Sequence, residues 1–302
     1  MTALSLGPVF FHWEPQRWRD FYFRAAEEAP IDTVYLGEVV CAKRMPFTAP
    51  HFDAVIERLK RAGKRIVLSS LALIGNEREA QLMRDLCAAA VPVVEANDIG
   101  ILPLLKGKPH SLGPFLNIYN ESTLAFFAAR GAIGACLPPE LPATSIARLA
   151  ASASIPVEVL AFGRLPLAIS ARCFHARVHG LHKDGCQFVC GRDAEGLAVD
   201  TLEGEPFLAI NGLQTLSCTC LSLLRELLGL KRAGVAGFRL SPMAADMVRV
   251  ARLFRDTLDE RIGAEEAEEA LKALLPQMPL ANGFLYGEEG RRRFHPDHLR
   301  LE

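Results

Sequence analysis

Single-sign charge, long apolar runs and the common catalytic signatures are what this 302-residue chain has little of. Its 34 basic residues stand against 35 acidic ones, a net charge of -1, and no extended block carries one sign. Broad electrostatic attraction to nucleic acid or to an anionic membrane is therefore not indicated, although the balance leaves room for a local basic patch. No stretch approaches the roughly 18 consecutive apolar residues that read as a membrane span. The first residues, MTALSLGPVFFHWEPQRW, lack the basic start and small-residue cleavage site of an export signal. A cytoplasmic protein without a transmembrane segment is the expectation. Four signatures are also missing: the G-x-S-x-G elbow, the G-x4-G-K-[ST] phosphate loop, H-E-x-x-H and G-x-G-x-x-G.

Half of the residues are hydrophobic, enough for a large core in a chain somewhat longer than the roughly 250 residues of a typical barrel domain. Short β-rich runs alternate with longer helical patterns, which argues for repeated β-α units around a parallel sheet. Strands are predicted at 6–11, 33–36, 65–70, 92–95, 114–119, 134–137, 156–160 and 237–240. Helices are predicted at 15–29, 54–62, 77–89, 122–129, 142–152 and 221–230, then at 244–258 and 265–274. Trp18, Phe21, Tyr22 and Ala25 recur at spacings of three and four and read as a core-facing stripe. Ser122 can cap its helix, and Pro15 suits a first turn. The fold class that follows is α/β, a (β/α)8 TIM-like barrel, with ligands expected at the C-terminal strand ends. The stretch 174–214 fits no β-α repeat, and GLAVDTLEG and PFLAING resemble a small hairpin over the site. The domain reading is a barrel over 1–260, including the loop and hairpin at 163–214, and a C-terminal helix and tail over 261–302. Arg291, Arg292 and Arg293 in that tail read as solvated surface and are assigned no role.

Cysteine is well represented, with eight residues, too few and too irregular for a disulfide scaffold in a chain this long. Three fall in GRLPLAISARCFHARVHGLHKDGCQFVC (163–190) as Cys173, Cys186 and Cys190, a C-x12-C-x3-C pattern on a glycine-bearing loop beyond a strand. Three thiols leave a soft four-coordinate site one ligand short. Cys41 in LGEVVCAKR also follows a short strand and a glycine, and is the candidate fourth. Four thiolates suit zinc or an iron–sulfur cluster equally, with the flanking glycines letting backbone approach sulfur. His175, His179 and His182 make a mixed Cys/His zinc site conceivable, but neighbouring histidines are more often loop or supporting residues. Cys87, Cys136, Cys218 and Cys220 sit in apolar company and read as small buried hydrophobes, the last two near a helix start.

The segments YLGEVVCAKR, IVLSSLAL, LPLAISARCFHAR and FRLSP resemble the ubiquinone-biosynthesis branch of the collagenase-like peptidase family, in matching order over most of the chain. The resemblance implies a 4Fe-4S cluster on Cys41, Cys173, Cys186 and Cys190. It also implies oxygen-independent hydroxylation of a quinone precursor, in a heterodimer with a homologous partner, UbiU. Relatives that hydroxylate RNA are thought to draw oxygen from prephenate, so a carboxylate donor is a further implied ligand. An RNA-hydroxylating member and a non-catalytic, metal-pinned scaffold subunit are the alternatives, the near-neutral charge counting against RNA. No nucleophile–base pair supports peptidase chemistry, and four cysteine ligands leave no open position on a metal.

Substrate-facing candidates are the charged residues near the cysteine loops: Glu38, Lys43, Arg44, Arg164, Arg172 and Arg177. Arg172, Glu38 and Arg44 are taken as catalytic candidates. Arg172 comes first, because a guanidinium fork beside the cluster could grip a carboxylate bidentately. Mutual pairing of these charges at the barrel mouth is the competing explanation. Asn117, Tyr119, Asn120, Glu95 and Asn97 are pocket polars by position alone, helix capping being as good a role for Asn97 or Asn120.

Overall fold

The structure, a computed structural model, describes residues 2–89 and 93–299. In chain order its elements are β1 (Ala3–Leu6), α1 (Pro15–Glu28), β2 (Thr33–Leu36), α2 (Met45–Arg61), β3 (Arg65–Ser69), α3 (Glu77–Ala88), β4 (Val94–Ala96) and β5 (His110–Leu112). There follow α4 (Glu121–Ala128), β6 (Ala132–Cys136), α5 (Ala143–Ser152), β7 (Val157–Ile169), α6 (Phe174–Val178), β8 (Leu197–Asp200), β9 (Pro206–Asn211) and β10 (Gln214–Ser222). The chain closes with α7 (Leu227–Arg232), β11 (Gly237–Leu240), α8 (Met247–Leu258), α9 (Ala264–Leu274) and β12 (Leu280–Ala281).

Strands β1 to β7 pair in order and in parallel, and β11 pairs in parallel with both β7 and β1, so the sheet closes into an eight-stranded (β/α)8 barrel. Such strands are covered on both faces, which explains why TVYL of β2 and GFRL of β11 are buried at every position. Helix α1 turns Trp18, Tyr22, Ala25 and Ala26 inward, and the Glu14 carboxylate accepts the amides of Gln16 and Arg17 at its start. Each such aromatic contributes roughly 1.5–3 kcal/mol by burial. The stripe read from sequence is core. Among the described residues no helix is long and apolar enough to cross a membrane.

The barrel interior is not wholly apolar. Arg239 of β11, 2% exposed, donates to Glu95 Oε1 at 2.6 Å and through Nε to Glu158 Oε2 at 2.8 Å, and stacks 3.6 Å over the Tyr35 ring. Ser69 donates to Glu95 at 2.7 Å, and Ser5 also donates to Glu158. Glu95 is therefore a core ion-pair partner, not a polar group of a mouth pocket.

The predicted strands at 6–11 and 114–119 need correcting. The apolar residues Val9, Phe10 and Phe11 are buried, but beyond β1, as a loop folded over the strand end. The fifth strand is His110–Leu112, whose polar HSL hides it from a hydrophobic pattern, and Pro114–Leu116 is a 3-10 turn. Proline lacks the N–H that a ladder needs. Of the predicted strand 92–95, Pro92 lies outside the described residues. Helix α2 begins nine residues before the predicted 54 and runs through Pro50. Residues 221–222 belong to β10, so the predicted helix 221–230 is replaced by Leu227–Arg232, and Cys218 and Cys220 are strand residues. Asn120, not Ser122, caps α4, its Oδ1 accepting the Thr123 amide at 2.8 Å.

Strand β7 outgrows the barrel. It pairs with β11 up to Phe162, and from Phe162 to Ile169 it pairs antiparallel with β10, which continues to β9 and β8. Gly163 stands at the departure with φ +112°, where a Cβ would lie 2.7 Å from that of Ser241. The expected hairpin excursion between the seventh and eighth barrel strands is this β8–β9–β10 meander. The tail returns to it, β12 pairing in parallel with β10. Arg293, read as solvated from sequence, instead donates to the Ser222 carbonyl at 2.8 Å and pairs with buried Glu268. Arg291 and Arg292 are exposed and pair with Glu289 and Glu288.

Candidate functional site: a cavity walled by four thiols

Cys41 lies five residues beyond the end of β2, and the other three cysteines lie beyond β7. The thiols of Cys41, Cys173, Cys186 and Cys190 line one cavity, together with Lys43, Arg44, Lys183, Phe188, Val189 and Gly212. None of the four is in a disulfide. Cys41 and Cys173 both pack against one small apolar cluster of Phe10, Val39, Val40 and Leu213. Loops more than a hundred residues apart thus meet at the C-terminal mouth of the barrel.

Each loop is held in shape by polar bonds. Oε1 of Glu38 accepts the amides of Val40 and Cys41 at 2.8 and 2.9 Å, which fixes the backbone that presents Cys41. Cys173 caps the start of α6, its Sγ accepting the Ala176 amide at 3.4 Å. Between Cys186 and Cys190 the chain turns through Gln187 and Phe188 at φ +48° and +51°. Two successive side-chain-bearing residues in the left-handed region cost roughly 1–2 kcal/mol each, and such strain gathers at functional sites. Lys43 joins the two loops, donating to the Lys183 carbonyl at 2.6 Å and to Asp184 at 3.0 Å.

Burial pushes the Cys41 thiol up to about 11 and raises that of Cys190, the Arg44 guanidinium opposing the rise in both. Arg44 is buried, donating through Nη1 to the Phe10 carbonyl at 2.7 Å and through Nη2 to Asn211 Oδ1 at 2.9 Å, while its buried Nε has no partner among the described residues. Four soft sulfur donors beside an unsatisfied, cationic N–H donor fit a metal-thiolate group of net negative charge.

The other candidates separate. Arg172 and Arg177 are exposed, and neither guanidinium makes an ion pair among the described residues. Arg164 turns to the hairpin, donating to the Ser217 carbonyl at 2.6 Å. Asn97 bonds Ser70, the Tyr119 hydroxyl bonds Glu140, and neither lines the cavity. The glycines also differ from expectation. A Cβ at Gly180 or Gly185 would meet nothing within 4 Å, so neither is there for close approach to sulfur. Gly37 and Gly163 need glycine against the backbone or side chain of Ser69 and Ser241, and the glycine needed beside the thiol cavity is Gly212, φ +65°, where a Cβ would lie 2.6 Å from Arg44 Nη2.

Two residues that support the site escaped sequence reasoning, Asn211 and Asp193. His175, fully buried, lies 2.9 Å through Nε2 from Asp193 Oδ2. This pair ties the residues just after Cys173 to those just after Cys190. The signal was Asp193 three places beyond a cysteine, mirroring His175 two places beyond another. Ligand atoms of His175, His179 and Asp193 fall within 4.8 Å of one another, a group compatible with metal binding.

Comparison with known proteins finds a match to the model of peptidase family U32 over residues 21–294. Among solved structures the chain is similar to N-acetylneuraminate lyase from Fusobacterium nucleatum, with 10% identity over 91% of this chain and 81% of that one and a TM-score of 0.49. Dihydropteroate synthase from Thermus thermophilus is similar with 11% identity over 86% and 93%, and a TM-score of 0.44.

Proposed function

Since the chain belongs to peptidase family U32, we propose that it acts as the family's ubiquinone-biosynthesis member, UbiV. In this reading it is a 4Fe-4S protein required for oxygen-independent hydroxylation of a quinone precursor, working in a heterodimer with its homologue UbiU. The observation that carries the reading is the convergence of Cys41, Cys173, Cys186 and Cys190 on one cavity. Those four residues would hold the cluster. When bound, it supplies one-electron chemistry at the barrel mouth.

The chain's own residues do the rest. Glu38 holds the Cys41 loop through two amides, and Lys43 fastens that loop to the one carrying Cys186. The hairpin turn brings Gly212 to the cavity wall, and Leu213 packs with Phe10, Val39 and Val40 beside Cys41 and Cys173. Arg172, exposed and without an ion-pair partner among the described residues, is free to meet a carboxylate such as that of prephenate or a group on the partner.

Anaerobic purification followed by iron and acid-labile sulfide assay tests the cofactor. Roughly equal iron and sulfide supports it, and stoichiometric zinc without sulfide overturns it. Arg172→Ala then tests the chemistry. With cluster content intact, lost hydroxylation places substrate binding in this chain, whereas unchanged activity with weakened partner binding assigns it a scaffold role.

A further inference from the structure

The Arg44 guanidinium is held in one orientation. Its Nη1 bond to Phe10 and Nη2 bond to Asn211 fix the plane of the fork. Asn211 is itself immobilised, its amide donating to the Phe10 carbonyl at 2.7 Å and to Gln214 Oε1 at 3.2 Å. Gly212 leaves the space in which Nη2 lies. With the plane fixed, the direction of Nε–H is fixed as well, and this buried donor of a residue lining the thiol cavity is without a partner among the described residues. Native proteins leave few buried donors unpaired, and each one calls for an explanation.

The charges around it narrow what that partner is. Glu38 is near enough to act on Arg44 electrostatically, but among the described residues it accepts no hydrogen bond from the fork, and its Oε1 is engaged by the amides of Val40 and Cys41. Lys43 is drawn outward to Asp184. The other groups that act on the guanidinium are the His12 ring and the sulfurs of Cys41 and Cys190, with Cys190 near enough to the fork to bond it. A sulfur carrying negative charge is the acceptor this donor fits.

We infer that Arg44 is a positioning and tuning residue of the four-thiolate centre. Its Nε–H bonds a thiolate or sulfide sulfur, and its fixed charge raises the reduction potential of the cluster. This rests on the cluster reading given above. One-electron reduction, with the electron supplied by a low-potential chemical reductant, adds one negative charge to the metal–sulfur core and moves no proton, since the guanidinium stays protonated in both states. A neighbouring cation and N–H donor stabilise the reduced core more than the oxidised one, and hydrogen bonds to sulfur are an established control of cluster potential.

The test compares full-length wild type, Arg44→Gln and Arg44→Lys, prepared anaerobically and matched in iron, sulfide and melting temperature, in redox titrations followed by electron paramagnetic resonance. The midpoint is expected to move to more negative potential in Arg44→Gln, with Arg44→Lys between, because an ammonium keeps the charge but not the oriented fork. A purely structural arginine would leave the midpoint where it is. Equal midpoints at equal iron content overturn this inference and leave the cluster reading standing. Wild type without iron and sulfide overturns the cluster reading and this inference with it. Should Arg44→Gln not accumulate as folded protein, Arg44→Lys decides alone, a negative shift supporting the inference and an unchanged midpoint ending it.

Discussion

Arg239 and Glu95 meet at 2.6 Å inside the barrel, 2% and 1% exposed, with Glu158 on the other side of the same guanidinium. Removing the cation would leave two unpaired carboxylates close together, Glu95 1% and Glu158 13% exposed. Arg239→Leu should therefore lose about 3–5 kcal/mol, the usual result of breaking a buried pair from one side. Urea unfolding followed by circular dichroism measures it, and a loss below about 1 kcal/mol would show that water or protonation relieves the pair.

Alanine at Cys41, Cys173, Cys186 or Cys190 should each abolish iron and sulfide incorporation. Alanine at Cys87, Cys136 or Cys218, none of which lines the cavity, should leave both unchanged. Metal analysis of all seven variants separates the two sets, and cluster loss on replacing any of the second set would redraw the ligand assignment.

Gly212→Ala asks an L-residue to adopt φ +65° and sets a methyl 2.6 Å from Arg44 Nη2. A cost of about 1–3 kcal/mol is expected from the backbone alone. The melting temperature should fall and cluster retention in air should shorten. Gly180→Ala, where a Cβ meets nothing within 4 Å but φ is +68°, carries the backbone cost without the contact. The difference between the two variants isolates the contact.

His12 is partly buried between Phe47 and Phe188, ring centroids 4.9 and 5.7 Å away. Burial, with Arg44 nearby, lowers its pKa from 6.5 to about 4. The unfolded chain therefore binds this proton at higher pH than the folded one does. The stability contributed by neutral His12 is complete above about 6.5 and is lost as pH falls toward 4. His12→Phe should remove that dependence, so melting temperatures of wild type and variant should draw apart across this window. Parallel curves would mean that the ring titrates as in the unfolded chain.

Much of the barrel could be read directly from the chain. TVYL, RIVLS and GFRL are compact apolar strands at their expected places, and the stripe of Trp18 and Tyr22 faces the core as its spacing requires. The fifth strand could not be read, because HSL has no hydrophobic pattern and draws its burial from the closed ring around it. Phe10 and Phe11 misled in the opposite sense, being apolar because they cap the mouth and not because they pair in a sheet. Cys41 and the C-x12-C-x3-C loop were legible as soft ligands. Arg44 was legible only as a charge near them.

The sequence by itself determined the alternation of strands and helices, the positions of the thiols and the absence of a strong charge bias, because these follow from local pattern and residue chemistry. Only the tertiary structure decided that Cys41 shares a cavity with Cys173, Cys186 and Cys190, that Asn211 orients Arg44, and that Asp193 meets His175. Each of these depends on barrel closure through β11 and on the bend of β7 at Gly163. Closure brings together residues whose separation along the chain carries no information about their separation in space.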